Sequence, residues 1–499
     1  MSDATTKKNV LLILVDQVLR SSLAAYGGTV CRTPALDTLA ASGVIFDHAY
    51  TTISLCSPAR ASLFTGKLPH KHGILYNVTH HTYGRAELAE DEVVLSRLMR
   101  EAGYACGYFG KWHIGMEKGA TAYGFEGTRF PGFGLPSDFV ADYDAFLKSH
   151  DHPGLESVTV RNLLGGADIP EAMLPLGRTL PNAARGAVYS GVIDLATELT
   201  PAGYVAAGTI DFMRAHRDEP FFAVASFWGP HHPALPSPEF DGTHARELIP
   251  EWGNFADELE EKPRIQKRYA RRLHPKLTNA PWPIWRRIIS AHYDFMAMID
   301  AQIGRILQEL ETLGLADNTV VVFTSDHGDT LGCHGGQWDK GPYMYEETYA
   351  VPLILRLPDV IAGRAMHAMV SNMDLFPTIL DACGLAIPDG LDAKSCLPVC
   401  EGRLDTARDC VTGQFFGFDV RGLFLQRMIR SEQYKYVYNP SDIDEFYDLN
   451  ADPSELHNAI DEPKHKEAVE RLKRRLLQEM RAANDPHAAF ADELMGIET

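Results

Sequence analysis

The segment VLLILVD at residues 10–16 decides the fold. It is an unbroken apolar run that ends in Asp16. A run without polar alternation is typical of a strand buried on both faces, as the strands of parallel sheets are. The segment therefore predicts a central strand of a parallel sheet with an acidic residue at its carboxyl end.

Similar apolar runs occupy residues 221–226, 319–324 and 351–355. Pro352, within the last run, indicates the start of a strand or an edge strand. Between the runs, apolar residues recur at helical spacing, at residues 35–40 and at Met296, Ile299, Ile303, Ile306, Leu307 and Leu310. Strands that alternate with helices predict an α/β layered domain.

The chain of 499 residues is too long for one ordinary core, so we expect two domains of unequal size. Residues 115–200 and 229–290 lack clean periodicity and are interpreted as long insertions at the rim of the sheet. After Pro398 the pattern changes to short alternating strands and a charged amphipathic helix. We predict a large α/β domain at 1–398, a small α+β domain at 399–485 and a tail at 486–499.

The formal net charge of −19 disfavours a broad nucleic-acid surface or a general attraction to anionic membranes. Eight cysteines in so long a chain do not form a disulfide scaffold. No apolar run has the length of a signal-peptide core or of a membrane span. We therefore expect a soluble, cytoplasmic protein that binds neither nucleic acid nor membrane.

Two acids, Asp16 and Asp326, end two of the apolar strands. Ligands of open α/β sheets bind beyond the carboxyl ends of strands, and two carboxylates brought together there repel unless a cation lies between them. Gln17 and His327 follow directly and would add an oxygen and a nitrogen ligand. An Asp that caps a turn after a strand explains each acid equally well, so both interpretations stay open at this point.

The segment CSPARASLFTG at residues 56–66 predicts a helix, because Pro58 suits its first turn and Gly66 its end. Cys56 would then lie at a helix N-terminus, where N–H groups and the helix dipole stabilise an anion. Arg60, one turn later, adds a positive charge. A buried Cys before an ordinary helix is the alternative.

Cys-x-Pro-x-Arg followed by Thr-Gly resembles the signature of the formylglycine-dependent (type I) sulfatases of the alkaline-phosphatase-like superfamily. The other segments that resemble motifs of this family, in the same order, are Gly-Lys-Trp-His at 110–113, Pro-His-His-Pro at 230–233, Thr-Ser-Asp-His-Gly at 324–328, Lys340 with residues 344–347, and a C-terminal turn at 448–458. The resemblance spans roughly residues 8–458, and it points to the branch of bacterial arylsulfatases and phosphonate monoester hydrolases.

The resemblance implies a large mixed, mostly parallel sheet sandwiched by helices, followed by a small domain with an antiparallel sheet. It implies that Cys56 is converted to formylglycine (3-oxoalanine), which as a hydrate attacks the sulfur of a sulfate ester and later expels sulfate. The implied ligands of one divalent metal ion are Asp16, Gln17, Asp326, His327 and the group at Cys56. The implied catalytic residues are Arg60, Lys111 and Lys340 on the sulfate oxygens, His231 or Lys340 as proton donor to the leaving alcohol, and His113 as proton acceptor.

The chain departs from many sulfatases at Gln17, where they have Asp, and at His327, where they have Asn. Fewer carboxylates and an added imidazole make the site less suited to Ca²⁺ and better suited to Mn²⁺. Both variants also resemble those of phosphonate monoester hydrolases, so hydrolysis of a phosphonate monoester or phosphodiester is the alternative activity. A catalytically inactive binding protein is disfavoured, because no implied catalytic position is lost.

The implied partners are a small anionic sulfate ester and a formylglycine-generating enzyme, since a thiol does not become an aldehyde unaided. The sequence also leaves room for a homo-oligomer.

Overall fold

The computed structural model describes residues 7–78, 84–132, 140–165, 173–176, 188–273, 277, 279–417 and 424–497. Its strands are β1 Asn9–Asp16, β2 Val44–Tyr50, β3 Ala105–Gly110, β4 Glu126–Gly127, β5 Thr159–Gly165, β6 Met173–Pro175, β7 Val188–Ile193, β8 Phe221–Pro230, β9 Thr319–Ser325, β10 Leu353–Arg356, β11 Arg364–Ser371, β12 Cys410–Phe416, β13 Leu425–Ser431, β14 Tyr434–Tyr438 and β15 Glu445–Asp448. Its helices are α1 Pro34–Ala41, α2 Cys56–Thr65, α3 Pro69–His72, α4 Leu95–Glu101, α5 Val140–Ser149, α6 Pro201–Ala215, α7 Arg264–Leu273, α8 Trp282–Thr312, α9 Glu346–Tyr349, α10 Leu375–Ala382, α11 Leu397–Cys400, α12 Lys466–Ala482 and α13 Ala488–Leu494.

The large sheet has eight strands in the order β11-β2-β10-β9-β1-β8-β3-β4. β1 lies at its centre and is parallel to both neighbours, as the apolar run predicted. β10 is antiparallel to both of its neighbours, and the other neighbouring strands run parallel. The expectation of a large mixed, mostly parallel sheet is therefore confirmed.

Both faces of β1 are covered, because alternate side chains enter two different cores. Leu11, Ile13 and Val15 pack in the cluster that contains α8, whereas Leu12 and Leu14 pack in the cluster that contains α2 and α10. Complete burial of each such side chain stabilises the fold by about 1.5–3 kcal/mol. The central strand is thus held rigidly, and so is whatever follows its carboxyl end.

A second, four-stranded antiparallel sheet, β12-β13-β14-β15, confirms the predicted C-terminal α+β unit. One face of this sheet packs with α12 in a separate hydrophobic cluster. The other face, including Phe415 and Met428, packs against Tyr50 and Tyr349 of the large unit. The tail predicted after Pro486 contains α13, because Ala491 and Met495 are buried in the α12 cluster.

The predicted rim insertions contain elements that the sequence did not indicate, among them the helix α5. β6, β5 and β7 form a three-stranded antiparallel sheet within the first insertion. Among the described residues, no helix is both long enough and apolar enough to cross a bilayer.

Candidate active site

Two acidic side chains meet at the carboxyl end of the large sheet. β1 ends at Asp16, and Asp326 directly follows β9. The two strands are parallel neighbours that pair Val15 with Ser325, so both carboxyl groups reach the same edge. The backbone N–H of Gln17, whose φ is 62°, donates to Asp326 Oδ1 at 3.1 Å. The structure therefore brings together the two acids that the sequence placed at strand ends.

Cys56 begins α2 and points toward these acids. Its Sγ lies 3.2 Å from His327 Nε2 and 3.8 Å from Asp16 Oδ1. At the same end of the helix, Asn77 Oδ1 accepts the backbone N–H of Ser57 at 3.1 Å, which satisfies one of the exposed N–H groups of the first turn. Cys56 is completely buried, and its thiol is directed into the polar cluster rather than into a hydrophobic core.

Four side chains offer ligand atoms that all lie within 4.8 Å of one another: Asp16, Cys56, Asp326 and His327. A divalent ion holds oxygen and nitrogen ligands at about 2.0–2.6 Å, so ligand atoms up to about 4–5 Å apart can share one ion. His327 Nδ1 lies 2.8 Å from the carbonyl oxygen of Gly328, which only accepts. Nδ1 therefore carries a proton, and Nε2 is directed at the cluster, as in metal-binding histidines. The donor set fits one divalent cation.

Two buried cations hold the carboxylates in place. Arg60 Nε donates to Asp326 Oδ2 at 2.7 Å, and Arg60 Nη1 donates to the Lys111 carbonyl and to Ser226 Oγ, both at 2.8 Å. The Lys111 ammonium contacts Asp16 Oδ2. Burial opposes ionisation of Asp16, but the charges of Lys111 and Arg60 prevail and lower its pKa to about 2. Asp16 thus stays ionised in the buried site.

Lys340 lies on the other side of Gln17. Its Nζ is 2.6 Å from Gln17 Oε1, 2.9 Å from Asp339 Oδ1 and 3.1 Å from His231 Nε2. Burial disfavours the ammonium, but Asp339 raises the pKa of Lys340 above its usual value. Because an ammonium only donates, His231 Nε2 accepts, and its Nδ1–H donates to the His232 carbonyl at 2.8 Å. Burial and Lys340 accordingly lower the pKa of His231 well below its usual range.

His113 follows Lys111 and is also completely buried. Its φ of 56° turns the chain after β3, and its backbone N–H donates to the Pro131 carbonyl at 2.9 Å. Burial, Lys111 and Arg60 lower the pKa of its imidazole well below the usual range. His113 is thus held neutral beside the cationic groups.

Among the described residues, a second group with metal-ligand chemistry consists of His231, His232 and Asp339. The Lys340 ammonium already contacts His231 and Asp339 there. Its positive charge occupies the place that a second cation would take, so we assign no second metal ion to this group.

Sequence reasoning missed Asp329, which lies behind Gln17. Asp329 Oδ2 accepts Gln17 Nε2 at 2.7 Å, and its Oδ1 accepts the backbone N–H of Leu331 at 2.9 Å. Burial and Asp339 raise the pKa of Asp329 to about 7, while both N–H donors favour its ionised form. The only signal in the sequence is a third acid three residues after Asp326, too common a pattern to single out.

Comparison with known proteins agrees with the fold and the site. A family model described as "Sulfatase" matches residues 8–385, and one described as "N-sulphoglucosamine sulphohydrolase, C-terminal" matches residues 332–482. The chain is 29% identical over 494 residues to the sulfatase YidJ of Escherichia coli, covering 97% of this chain and 89% of YidJ. It is 28% identical over 495 residues to an arylsulfatase of Clostridium perfringens, covering 95% and 94% of the two chains.

The fold is also that of the phosphonate monoester hydrolase of Agrobacterium radiobacter, with a TM-score of 0.78, 24% identity and 96% of each chain covered. At this identity the likeness concerns the fold alone. The family model, in contrast, covers most of the chain, including the helix that begins at Cys56 and both strands that carry the acids. The chain belongs to the sulfatase family.

Proposed function

We propose that this enzyme hydrolyses a sulfate ester with residue 56 as nucleophile, after conversion of Cys56 to formylglycine, and with one divalent metal ion. The observation that carries the proposal is the convergence of Cys56 with Asp16, Asp326 and His327 within 4.8 Å. Together the bound ion and the hydrated aldehyde supply an acidic hydroxyl for in-line attack on sulfur. Cys56 Sγ stands in for the oxygen atoms of that group.

The metal ligands that we propose from this chain are Asp16, Gln17, Asp326 and His327. Two carboxylates and an amide oxygen suit a hard cation, whereas an imidazole shifts the preference from Ca²⁺ toward Mn²⁺. Arg60 holds Asp326 through Nε, and its Nη2 lies 3.7 Å from Asp16 Oδ2, so it orients both acids.

Arg60, Lys111 and Lys340 place three positive charges around the proposed reaction centre. Such charges, fixed before the reaction, stabilise the negative charge that develops on sulfate oxygens in the transition state. Lys111 contacts Asp16, and Lys340 donates to Gln17 Oε1, so each lysine lies beside a proposed metal ligand. We propose that these two lysines contact the sulfate directly.

The proposed proton donor to the leaving alcohol is Lys340. His231 Nε2 accepts a hydrogen bond from the Lys340 ammonium, and its lowered pKa keeps it neutral. The transferable proton is therefore at Lys340 Nζ, and His231 orients it. His113, also neutral, would accept a proton from the group at residue 56.

The alternative activity is hydrolysis of a phosphonate monoester or phosphodiester. Its oxyanion has comparable geometry, so the same cations would bind it. Gln17 and His327 are the residues that favour this alternative.

Two experiments test the function. Mass spectrometry of the tryptic peptide that contains Cys56 should detect the aldehyde in place of the thiol in active preparations, and a thiol retained throughout would refute the nucleophile. Turnover of an aryl sulfate and an aryl phosphonate monoester should be compared in parallel. A larger kcat/KM for the phosphonate would overturn the sulfate assignment, and elemental analysis would identify the ion.

We further propose that a formylglycine-generating enzyme matures the chain, and that the protein acts in the cytoplasm. The separate hydrophobic cluster around α12 supports a domain boundary near residue 398. A homo-oligomer is compatible with the exposed Phe490 and Leu494 on α13.

A further inference from the structure

We propose that Asp329 is a positioning residue that fixes the side-chain amide of Gln17, so that Gln17 Oε1, and not Nε2, is available to the metal ion. The inference rests on the proposed function, because it assumes that Gln17 is a metal ligand. It explains how an amide serves in place of the carboxylate that many sulfatases have at this position.

A continuous series of hydrogen bonds carries the inference. The backbone N–H of Leu331 donates to Asp329 Oδ1 at 2.9 Å, and Gln17 Nε2 donates to Asp329 Oδ2 at 2.7 Å. On the far side of the amide, Lys340 Nζ donates to Gln17 Oε1 at 2.6 Å. The series begins and ends with groups that only donate, a backbone N–H and an ammonium.

These two ends determine which way the amide points. If the Gln17 amide turned over, its NH₂ group would face the Lys340 ammonium, and its oxygen would face the Asp329 carboxylate. Both new contacts would be repulsive. Gln17 is completely buried, so water cannot replace the lost hydrogen bonds, and each unsatisfied group has a large free-energy cost.

Asp329 also brings a negative charge close to the Gln17 amide. A carboxylate that accepts from the NH₂ group polarises the amide and makes its oxygen a better acceptor. Asp329 does not belong to the group of ligand atoms that converge at Cys56, and both of its oxygens already accept hydrogen bonds. It therefore acts on the metal through Gln17 and not as a ligand.

The simpler alternative is that Asp329 only stabilises the turn after β9, through its bond to Leu331. Isosteric substitutions separate the two roles. In Asp329→Asn the new side chain has one oxygen and one NH₂ group. The oxygen can accept from Leu331 or from Gln17 but not from both, so one of these two donors loses its acceptor. In Gln17→Glu two carboxylates would face each other at the position of the present 2.7 Å contact.

The double variant Gln17→Glu/Asp329→Asn exchanges the carboxylate and the amide and restores every hydrogen bond. The amide introduced at position 329 would accept from Leu331 through its oxygen. Its nitrogen would donate to the carboxylate introduced at position 17, which would also accept from Lys340. The shape and the total charge are those of the wild type. Because the carboxylate at position 17 also adds a charged ligand, the deciding comparison is between the double variant and Gln17→Glu. A turn-stabilising role alone gives no reason for Asp329→Asn to improve metal binding in the Gln17→Glu background.

The experiment is calorimetric titration of MnCl₂ and CaCl₂ into the metal-free wild type, both single variants and the double variant at pH 8. All are co-expressed with a formylglycine-generating enzyme, and mass spectrometry checks that conversion is equal. Melting of the metal-free proteins checks folding. Asp300→Asn is the matched control. Asp300 is a buried carboxylate on α8, away from the site, and it accepts two backbone N–H groups of α1, both at 2.9 Å.

We expect Asp329→Asn in the wild-type background to weaken the metal Kd by about 10- to 100-fold, as loss of an outer partner of a metal ligand does. The double variant should bind the ion more tightly than Gln17→Glu does, so that Asp329→Asn has opposite effects in the two backgrounds, and Asp300→Asn should bind as the wild type does. If Asp329→Asn loses less than threefold, or if the double variant binds no better than Gln17→Glu, the inference is wrong. If the wild type binds neither ion, the proposed metal site itself fails, which is a different result.

Discussion

Two buried clusters of charged residues in the described part of the chain differ in how their charged groups are paired. The interface cluster, which joins the C-terminal sheet to the large unit, consists of Glu346, Arg430, Lys435 and Glu455. Lys435 Nζ lies 2.6 Å from Glu455, 2.8 Å from Glu346 and 3.0 Å from the Met344 carbonyl, so its three donors each have an acceptor.

The catalytic cluster, which consists of Asp16, Cys56, Asp326 and His327, has gaps where the interface cluster has hydrogen bonds. His327 Nε2 is 3.6 Å from Asp16 Oδ1 and 3.9 Å from Asp326 Oδ1, and neither distance makes a hydrogen bond. The same residue types thus serve opposite purposes. A cluster with short, reciprocal contacts stabilises the fold, whereas the wider spacing between Asp16 Oδ1, Asp326 Oδ1 and His327 Nε2 leaves room for the cation that we propose there.

The largest expected effect is on catalysis. Cys56→Ala should lower kcat/KM for an aryl sulfate by about 10⁴-fold or more, because it removes the nucleophile. Its urea-unfolding midpoint should stay close to that of the wild type, because no ion pair of either cluster is lost. Activity within tenfold of the wild type would show that residue 56 does not react.

Removal of one partner from the interface cluster should affect stability instead. Lys435→Met leaves Glu455 buried without its cation and removes one of the cations that contact Glu346, which costs about 3–5 kcal/mol of unfolding free energy. Urea unfolding measures this loss. Lys464→Met, which removes an exposed partner of Glu462, is the control and should change nothing measurable. Equal midpoints for the two variants would contradict the contrast drawn between buried and exposed pairs.

Metal removal should act on the catalytic cluster alone. Chelation should lower the free energy of unfolding by about 2–3 kcal/mol relative to protein in an ion concentration of about 100 Kd. Lys435→Met should keep this response, whereas Asp326→Asn should lose most of it. A response of the same size in Asp326→Asn would place the ion elsewhere.

The smallest effect concerns pH, and its sign differs between the clusters. Burial and Glu346 raise the pKa of Glu455 to about 7. The unfolding free energy that Glu455 contributes is therefore fully present below about pH 4.5 and is lost as the pH rises through 7. Asp16, whose pKa is lowered to about 2, contributes stability that is lost only as the pH falls toward 2. Between pH 5 and 8, unfolding free energy should therefore fall more steeply in the wild type than in Glu455→Gln. Parallel slopes would rule out Glu455 as the titrating group.

Several elements were predictable because their causes are local. The apolar run before Asp16 forms the central strand, and the helix that begins at Cys56 ends at Gly66, whose φ of 65° suits glycine. Pro352 precedes β10, so the start of a strand was the right interpretation, and the edge was not. The roles assigned to the site residues remain predictions.

Other features had no local signal. The three-stranded sheet lies in a segment without clean periodicity, and α13 is short and held by Ala491 and Met495 against α12. In both cases the structure depends on a partner surface elsewhere in the chain. Propensity alone does not predict such elements.

By itself the sequence determined the kind of sheet, the helix at Cys56 and the presence of acids at strand ends, because side-chain periodicity and helix-end chemistry act over a few neighbouring residues. Only the tertiary structure decided that Gln17 lies between Lys340 and Asp329, which are 323 and 312 residues away along the chain. Hydrogen-bond direction depends on which donors and acceptors meet in space. No local pattern contains that information.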